Sequence, residues 1–237
     1  MFGWFSKKVG IDIRVDVHSH LLPNLDDGVR DFDESLDIIR EFSRLGFKKL
    51  ITTPHIYSDH YPNTHETILN ALSELKQHLS REKMSIEVEA AAEYYIDAHL
   101  IDLLDRKEPI LSFGTAGYVL VETGFHTKPI IFDEVIFKLK SLNYVPVLAH
   151  PERYLYLEDD LSWLRQIREK GVRLQVSIPS LNGFYGSNPK KMAMKLLKEA
   201  MVDFFGSDIH RKGQMEGFER SLEIKVSPQN VLNNELI

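Results

Sequence analysis

Residues 14–20, RVDVHSH, join a β-branched run to two histidines one residue apart. Successive side chains of an extended chain point to opposite faces, so His18 and His20 share one face and can reach a single ion. The run reads as a strand that ends in ligands. Six further runs rich in apolar and β-branched residues, 49–52, 86–91, 118–121, 145–149, 173–176 and 203–206, recur between stretches of helical spacing. Alternation of this kind is the pattern of a parallel sheet with crossover helices.

The helices carry their own start and stop signals. Asp33 is the expected cap of a helix with the apolar stripe Leu36, Ile39, Phe42 and Leu45, closed by Gly46. Thr64 opens a second, with Ile68, Leu72, Leu75 and Leu79 on one face. Further helices are expected over 97–104, 130–142, 162–170 and 189–200, and Pro228 after Ser227 reads as the start of a C-terminal one. Seven β/α units in 237 residues match the size and rhythm of a TIM-like barrel, one strand short of the usual eight. An open doubly wound sheet is the alternative. No internal repeat, low-complexity tract or Pro/Gly/Ser linker divides the chain. A single domain over 1–237 is expected, with 1–11 as a flexible N-terminal extension.

Histidines and carboxylates fall on this map at one end of the strands. His18, His20 and Asp27 follow the first, His55 the second and Glu93 the third; Glu122 and His150 end the fourth and fifth, and Asp208 and His210 the seventh. The sixth ends at Gln175, Val176 and Ser177 without such a residue. In a parallel α/β barrel these ends share one mouth, where binding loops lie. A lone histidine at a strand end is more often a structural residue than a ligand. The close pairs His18/His20 and Asp208/His210, converging with the rest, make metal binding the better reading. His60, His65, His78, His99 and His126 lack partners at ligand spacing and are expected to be solvated or structural, a substrate role at the mouth being the alternative for His60 and His126.

Composition excludes several chemistries. With no cysteine the chain can form no disulfide, thiolate zinc site, iron–sulfur cluster or cysteine nucleophile. A net charge of −6 without a Lys/Arg-rich run argues against nucleic acid as a partner. The opening MFGWFSKK is too short, and basic at the wrong end, for a signal peptide, and no apolar run approaches the roughly 20 residues of a membrane span. A cytoplasmic protein without stable membrane insertion is expected. Trp4 and Phe5 beside Lys7 and Lys8 could touch a membrane surface, although a frayed terminus is the simpler reading.

The segments VDVHSHLLPNLDDG, TPHIYSDHYPN, AAEYY, LVETGF, AHPERY, LQVSIPSLNGFYG and GSDIHR resemble, in order and spacing, the polymerase-and-histidinol-phosphatase (PHP) superfamily over roughly residues 12–215. Within it they are most similar to the manganese-dependent protein-tyrosine phosphatases of bacterial capsule and exopolysaccharide biosynthesis. The resemblance implies the PHP fold, a distorted (β/α)7 barrel, holding three divalent ions, manganese by resemblance, with iron or zinc open on ligand type. Carried over by position, His18, His20, Glu93 and Asp208 would hold one metal. Glu93 would bridge to a second, completed by Glu122 and His150, and Asp27, His55 and His210 would hold the third. Arg153 would bind the phosphate, with His55 and His210 also at the catalytic centre. The implied substrate is the phosphotyrosine tail of a membrane-associated bacterial tyrosine autokinase that controls polysaccharide synthesis and export. A histidinol-phosphatase-like or other small-molecule phosphoesterase is the alternative among enzymes, and a non-catalytic regulator of the export system the alternative outside them.

A site with four carboxylates repels a phosphate dianion unless cations overcompensate it, so metal loading is expected to govern substrate binding as well as chemistry. Arginine offers paired planar donors to phosphate oxygens that lysine cannot match. Tyr57, Tyr61, Phe125, Tyr154 and Tyr185 are the aromatic side chains that could flank a phosphotyrosine ring. A metal-bound water, Asp59 and His60 are the candidate general acids. Where many such phosphatases have Asn at the end of the sixth strand this chain has Ser177, which leaves substrate contacts there open.

Overall fold

The computed structural model describes residues 10–157, 160–226 and 230–237. The MFGWFSKK segment and the expected helix start at Ser227 and Pro228 lie outside them. In chain order the strands are β1 (Val15–Asp16), β2 (Lys49–Thr52), β3 (His55–Ile56), β4 (Glu87–Ala90), β5 (Glu93–Tyr95), β6 (Tyr118–Glu122), β7 (Val145–Ala149), β8 (Arg173–Ser177) and β9 (Phe204–Gly206). The α-helices are α1 (Phe32–Arg44), α2 (His65–Arg81), α3 (Ala98–Asp105), α4 (Phe132–Ser141), α5 (Ser162–Glu169), α6 (Ser187–Lys198) and α7 (Met215–Leu222).

Every ladder is parallel, in the orders β1-β2-β4 and β3-β5-β6-β7-β8-β9. The two sheets are parts of one ring. Expected strands two and three each continue past a two-residue interruption, Thr53-Pro54 and Ala91-Ala92, into the short β3 and β5. Pro54 has no N–H to give a ladder, so the pairing breaks there. Single bonds carry it across: Ala91 N–H to Thr52 O at 2.9 Å, and Glu93 N–H to Pro54 O at 3.1 Å. At the other seam Asp208 N–H donates to His18 O at 2.8 Å and His20 N–H to Ile209 O at 2.9 Å. These bonds join the continuation of β1 to that of β9 and close the ring at its mouth. The barrel reading, rather than the open sheet, describes this chain.

Two hydrophobic clusters match that closure. Val15, Val17, Ile51, Leu120, Val147, Ala149 and Phe204 pack on one another inside the ring. The larger cluster fills the layer between strands and helices, where Leu36, Ile39 and Phe42 of α1 and Ile68, Leu72, Leu75 and Leu79 of α2 are buried. Asn233 seals the end opposite the mouth. Buried completely, it accepts from Phe205 N–H at 2.8 Å and donates to Val15 O at 2.8 Å and Phe205 O at 2.7 Å.

Local signals came out unevenly. Thr64 caps α2 as expected, completing a capping box with Thr67. The cap of α1 is Asp31, not Asp33: Asp31 is extended and its carboxylate accepts from Glu34 N–H at 2.8 Å. Asp33 instead lies in the first turn, where a negative charge still favours the helix dipole. Helix α7 was not foreseen, because its apolar residues Met215 and Phe218 sit in a short polar segment. Of the expected flexible extension, Ile11 is buried and its N–H bonds Leu222 O at 3.1 Å.

Candidate metal centre

All nine candidate ligands meet at the mouth. His18 and His20 leave β1, Glu93 opens β5, Glu122 ends β6, His150 follows β7 and Asp208 follows β9. His150 and Asp208 hold left-handed backbone conformations, with φ of 31° and 53°. Such conformations are costly for residues with a Cβ and concentrate at functional sites.

Among the described residues, four groupings have ligand atoms within 4.8 Å of one another. They are His20, Asp27, His55 and His210; His18, His20 and Asp208; His18, Glu93 and His150; and His55, Glu93 and Glu122. The first unites the third-metal set implied by resemblance and adds His20. The second holds three of the four first-metal ligands. Glu93 is shared by the last two groupings, as a bridging carboxylate would be. His150 and Glu122, expected together, fall in different groupings, although His150 Nε2 lies 3.0 Å from Glu93 Oε1 and 3.9 Å from Glu122 Oε2.

Hydrogen bonds decide where the lone pairs point. His20 Nδ1 lies 2.7 Å from Asp26 Oδ2 and His18 Nδ1 lies 2.9 Å from Gln175 Oε1. Both partners are acceptors, so the imidazole protons sit on Nδ1 and each Nε2 presents a lone pair inward. The two Nε2 atoms are 3.3 Å apart, and around them stand Glu93 Oε2, at 3.1 Å from His18, and Asp208 Oδ1, at 3.4 Å from His18. With any proton on Nε2 displaced, four lone pairs converging on one point fit a cation. His210 repeats the device, its Nδ1 donating to Asp208 O at 3.0 Å and leaving Nε2 toward Asp27 Oδ1 at 3.4 Å.

The electrostatics agree. Burial disfavours a charged His18, yet Glu93 and Asp208 outweigh it and push the imidazole up to about 9. Burial likewise opposes protonation of His20, and Asp26 and Glu93 overcome it. Glu93 would be raised by burial, but His18, His55 and His150 hold it well below the ordinary carboxylate range. A site that draws protons this strongly onto its imidazoles offers the same lone pairs to a metal ion.

Arg153 lies at the rim. One of its N–H groups is bonded to Asp208 Oδ2, and its guanidinium lies 4.1 Å from the centre of the Tyr185 ring and 4.8 Å from that of Phe125. Glu152 beside it is buried, accepting from Ser177 N–H at 2.9 Å and Ser180 Oγ at 2.7 Å. Ser177 is itself fully buried, and it is not among the described residues that line the cavity. The cavity over the cluster, of about 300 Å³, is walled by Tyr57, Tyr61 and Phe125, as expected, and also by Tyr95. Tyr154 is packed beneath, its hydroxyl accepting from Thr123 N–H at 3.1 Å.

Asp26, Gln175 and Tyr95 are the functional candidates that sequence reasoning passed over. Asp26 carried a signal, standing next to Asp27 before Gly28. A Cβ on Gly28 would come within 2.6 Å of His20 Cβ, so only glycine lets that loop close on the histidine. Gln175 stood at the one strand end without a ligand, at the level where the others carry theirs. Of the remaining histidines, His78 stacks on Phe32 at 4.4 Å and His65 and His99 line a different cleft. His60 packs edge-on against Tyr57 at 4.6 Å, and His126 borders the cleft next to Arg153. Asp59 is exposed.

Comparison with known proteins places this site in a family. The tyrosine-protein phosphatase YwqE of Bacillus subtilis is 30% identical over 196 residues, 83% of this chain and 77% of that one. The tyrosine-protein phosphatase CpsB of Streptococcus pneumoniae is 26% identical over 201 residues, 83% of this chain and 82% of its own. A crystal structure from work on these two, which it describes as metal-dependent tyrosine phosphatases, superimposes with a TM-score of 0.79 at 29% identity, covering 88% of this chain and 86% of that one. An amidohydrolase of Mycoplasma synoviae, with a TM-score of 0.54 at 13% identity over 97% of this chain and 81% of its own, shares the fold alone. The model of the family described as capsular polysaccharide synthesis, CpsB/CapC, matches residues 14–226. With that match spanning nearly the whole barrel and every side chain of the cluster, the chain belongs to the CpsB/CapC family of capsular polysaccharide synthesis.

Proposed function

We propose that this chain is a metal-dependent protein-tyrosine phosphatase of capsule or exopolysaccharide synthesis. The observation that supports this most is the junction of the inward-facing lone pairs of His18, His20, Glu93 and Asp208 with an arginine at the same rim, in a family whose relatives are named tyrosine phosphatases. The substrate in this reading is the phosphotyrosine tail of a membrane-associated tyrosine kinase. No described helix is long and apolar enough to cross a membrane, and we place the reaction in the cytoplasm, where such a tail would lie. The whole chain acts as one domain.

In this reading His18, His20, Asp27, His55, Glu93, Glu122, His150, Asp208 and His210 hold three divalent ions, manganese being the expected species. The ions supply charge to bind the phosphate and lower the pKa of water toward neutrality. The protein's own part is to fix positions. Asp26 and Gln175 hold His20 and His18 in the tautomer that leaves Nε2 free. Arg153, braced between Tyr185 and Phe125, aims its remaining N–H donors at the equatorial phosphate oxygens, where charge stays high as the bond to the leaving group breaks. A phenolate leaving group, with a conjugate pKa of about 10, needs less protonation than an alkoxide, so a strong general acid is not required.

Turnover of phosphotyrosine peptides and of histidinol phosphate by the Mn²⁺-loaded protein tests the reading. Preference for the peptides is expected; preference for histidinol phosphate would overturn it.

A further inference from the structure

Arg153 and Phe125 line two cavities, not one. Beyond the metal cavity they also wall an open cleft of about 460 Å³ that continues to Leu155, Tyr185 and Pro189. From this continuity we propose that the cleft receives the aromatic ring of the substrate, and that Leu155 is a specificity-determining residue for aryl over alkyl phosphate esters. The inference rests on the phosphatase reading above and says where the leaving group lies.

The metal cavity is the smaller of the two, about 300 Å³. Its inner wall consists of carboxylates and imidazoles, and its tyrosines already cover one another: Tyr57 stacks on Tyr95 at 4.1 Å, and Tyr61 on His55 at 5.4 Å. A ring placed there would meet side chains already stacked on their neighbours and charged groups beneath. On the other side of Arg153 the situation reverses. Phe125 is 37% exposed and Leu155 52% exposed, two large apolar side chains that solvent reaches side by side. Their register is set by the fold, since Leu155 N–H donates to Phe125 O at 2.8 Å. Exposed apolar groups grouped beside a polar site mark a binding surface more often than single scattered ones do.

Charge points the same way. Arg153 is the only Lys, Arg, Asp or Glu among the described residues lining this cleft, so nothing there repels the phosphate from which the ring hangs. With phosphate oxygens on the Arg153 guanidinium, the substituent on phosphorus would leave past Phe125, the side chain common to both cavities. A ring laid there gains a π face and an aliphatic edge, which an alkyl ester lacks the area to use.

The test measures binding of non-hydrolysable phosphonates to the Mn²⁺-loaded protein by calorimetry, with phenylphosphonate against methylphosphonate, in wild type and in Leu155→Asp. Wild type is expected to bind phenylphosphonate at least tenfold more tightly. Leu155→Asp should erase most of that preference while metal content stays close to wild type, the repulsion from the added carboxylate falling on both phosphonates alike. Equal wild-type affinity for the two, or an unchanged preference in Leu155→Asp, would overturn the cleft assignment and leave the phosphatase reading standing. If neither phosphonate binds, the phosphatase reading fails and the inference with it. Leu155→Ala is the second variant should Asp disturb folding, and it should show a partial loss of the same preference.

Discussion

His20 Nδ1 stands 2.7 Å from Asp26 Oδ2, and both side chains are closed to solvent. Asp26 Oδ2 also accepts from His55 N–H at 3.0 Å, and its other oxygen from Gly28 N–H at 2.8 Å. One carboxylate therefore orients one candidate ligand, anchors the backbone of another and closes the loop between them.

Asp26→Ala should for that reason weaken metal binding without removing any ligand. Loss of a group that orients a ligating histidine costs about 10- to 100-fold in metal affinity. Metal content after dialysis against buffers of fixed free Mn²⁺ checks this, and retention equal to wild type at every concentration would contradict it.

Arg153→Lys keeps a positive charge and loses the planar fork. The expected result is full metal content with kcat/KM on a phosphotyrosine peptide lower by about 10- to 100-fold, the scale of a lost transition-state donor. Arg153→Ala should lose more. Unchanged turnover in either variant would remove Arg153 from the phosphate site.

A tyrosine phosphatase without cysteine cannot form a thiolate–phosphate intermediate. Iodoacetamide should leave the activity intact, whereas EDTA should abolish it and excess Mn²⁺ restore it. Activity that survives exhaustive chelation, verified by elemental analysis, would end the metal-dependent assignment.

Asn233→Ala tests the opposite end of the barrel. It leaves Phe205 N–H, Phe205 O and Val15 O without their partner in a buried place. Unsatisfied buried groups cost about 1–3 kcal/mol each, and partial relaxation or water entry should bring the total to about 2–4 kcal/mol. Urea unfolding followed by circular dichroism reads this as a lower midpoint. Metal affinity of the folded variant should stay at the wild-type value, since the ligands lie at the other end.

Gly206→Ala should act on the metal centre through sterics alone. A Cβ there would stand 2.5 Å from His18 Cβ and 2.7 Å from Gln175 Nε2, so the histidine must shift. Lower metal affinity is expected, and crystallography of the variant would show His18 displaced from Gln175.

The amino-acid sequence alone indicated the order of the main strands and of helices α1 to α6 and the nine candidate ligands at the strand ends, because both are written in short-range signals. Apolar runs, caps such as Thr64 and the one-residue spacing of His18 and His20 are local, and parallel topology then sends every strand end to one mouth. What it did not show was how the side chains pair across that mouth. Gln175 reaches His18 across 157 residues and Arg153 reaches Asp208 across 55. No periodicity reports such contacts, because they depend on the register of strands that meet only when the ring closes. The same closure decided that Asp26, rather than Asp27, orients His20, and that Ser177 is buried while Phe125 stays open to the cleft.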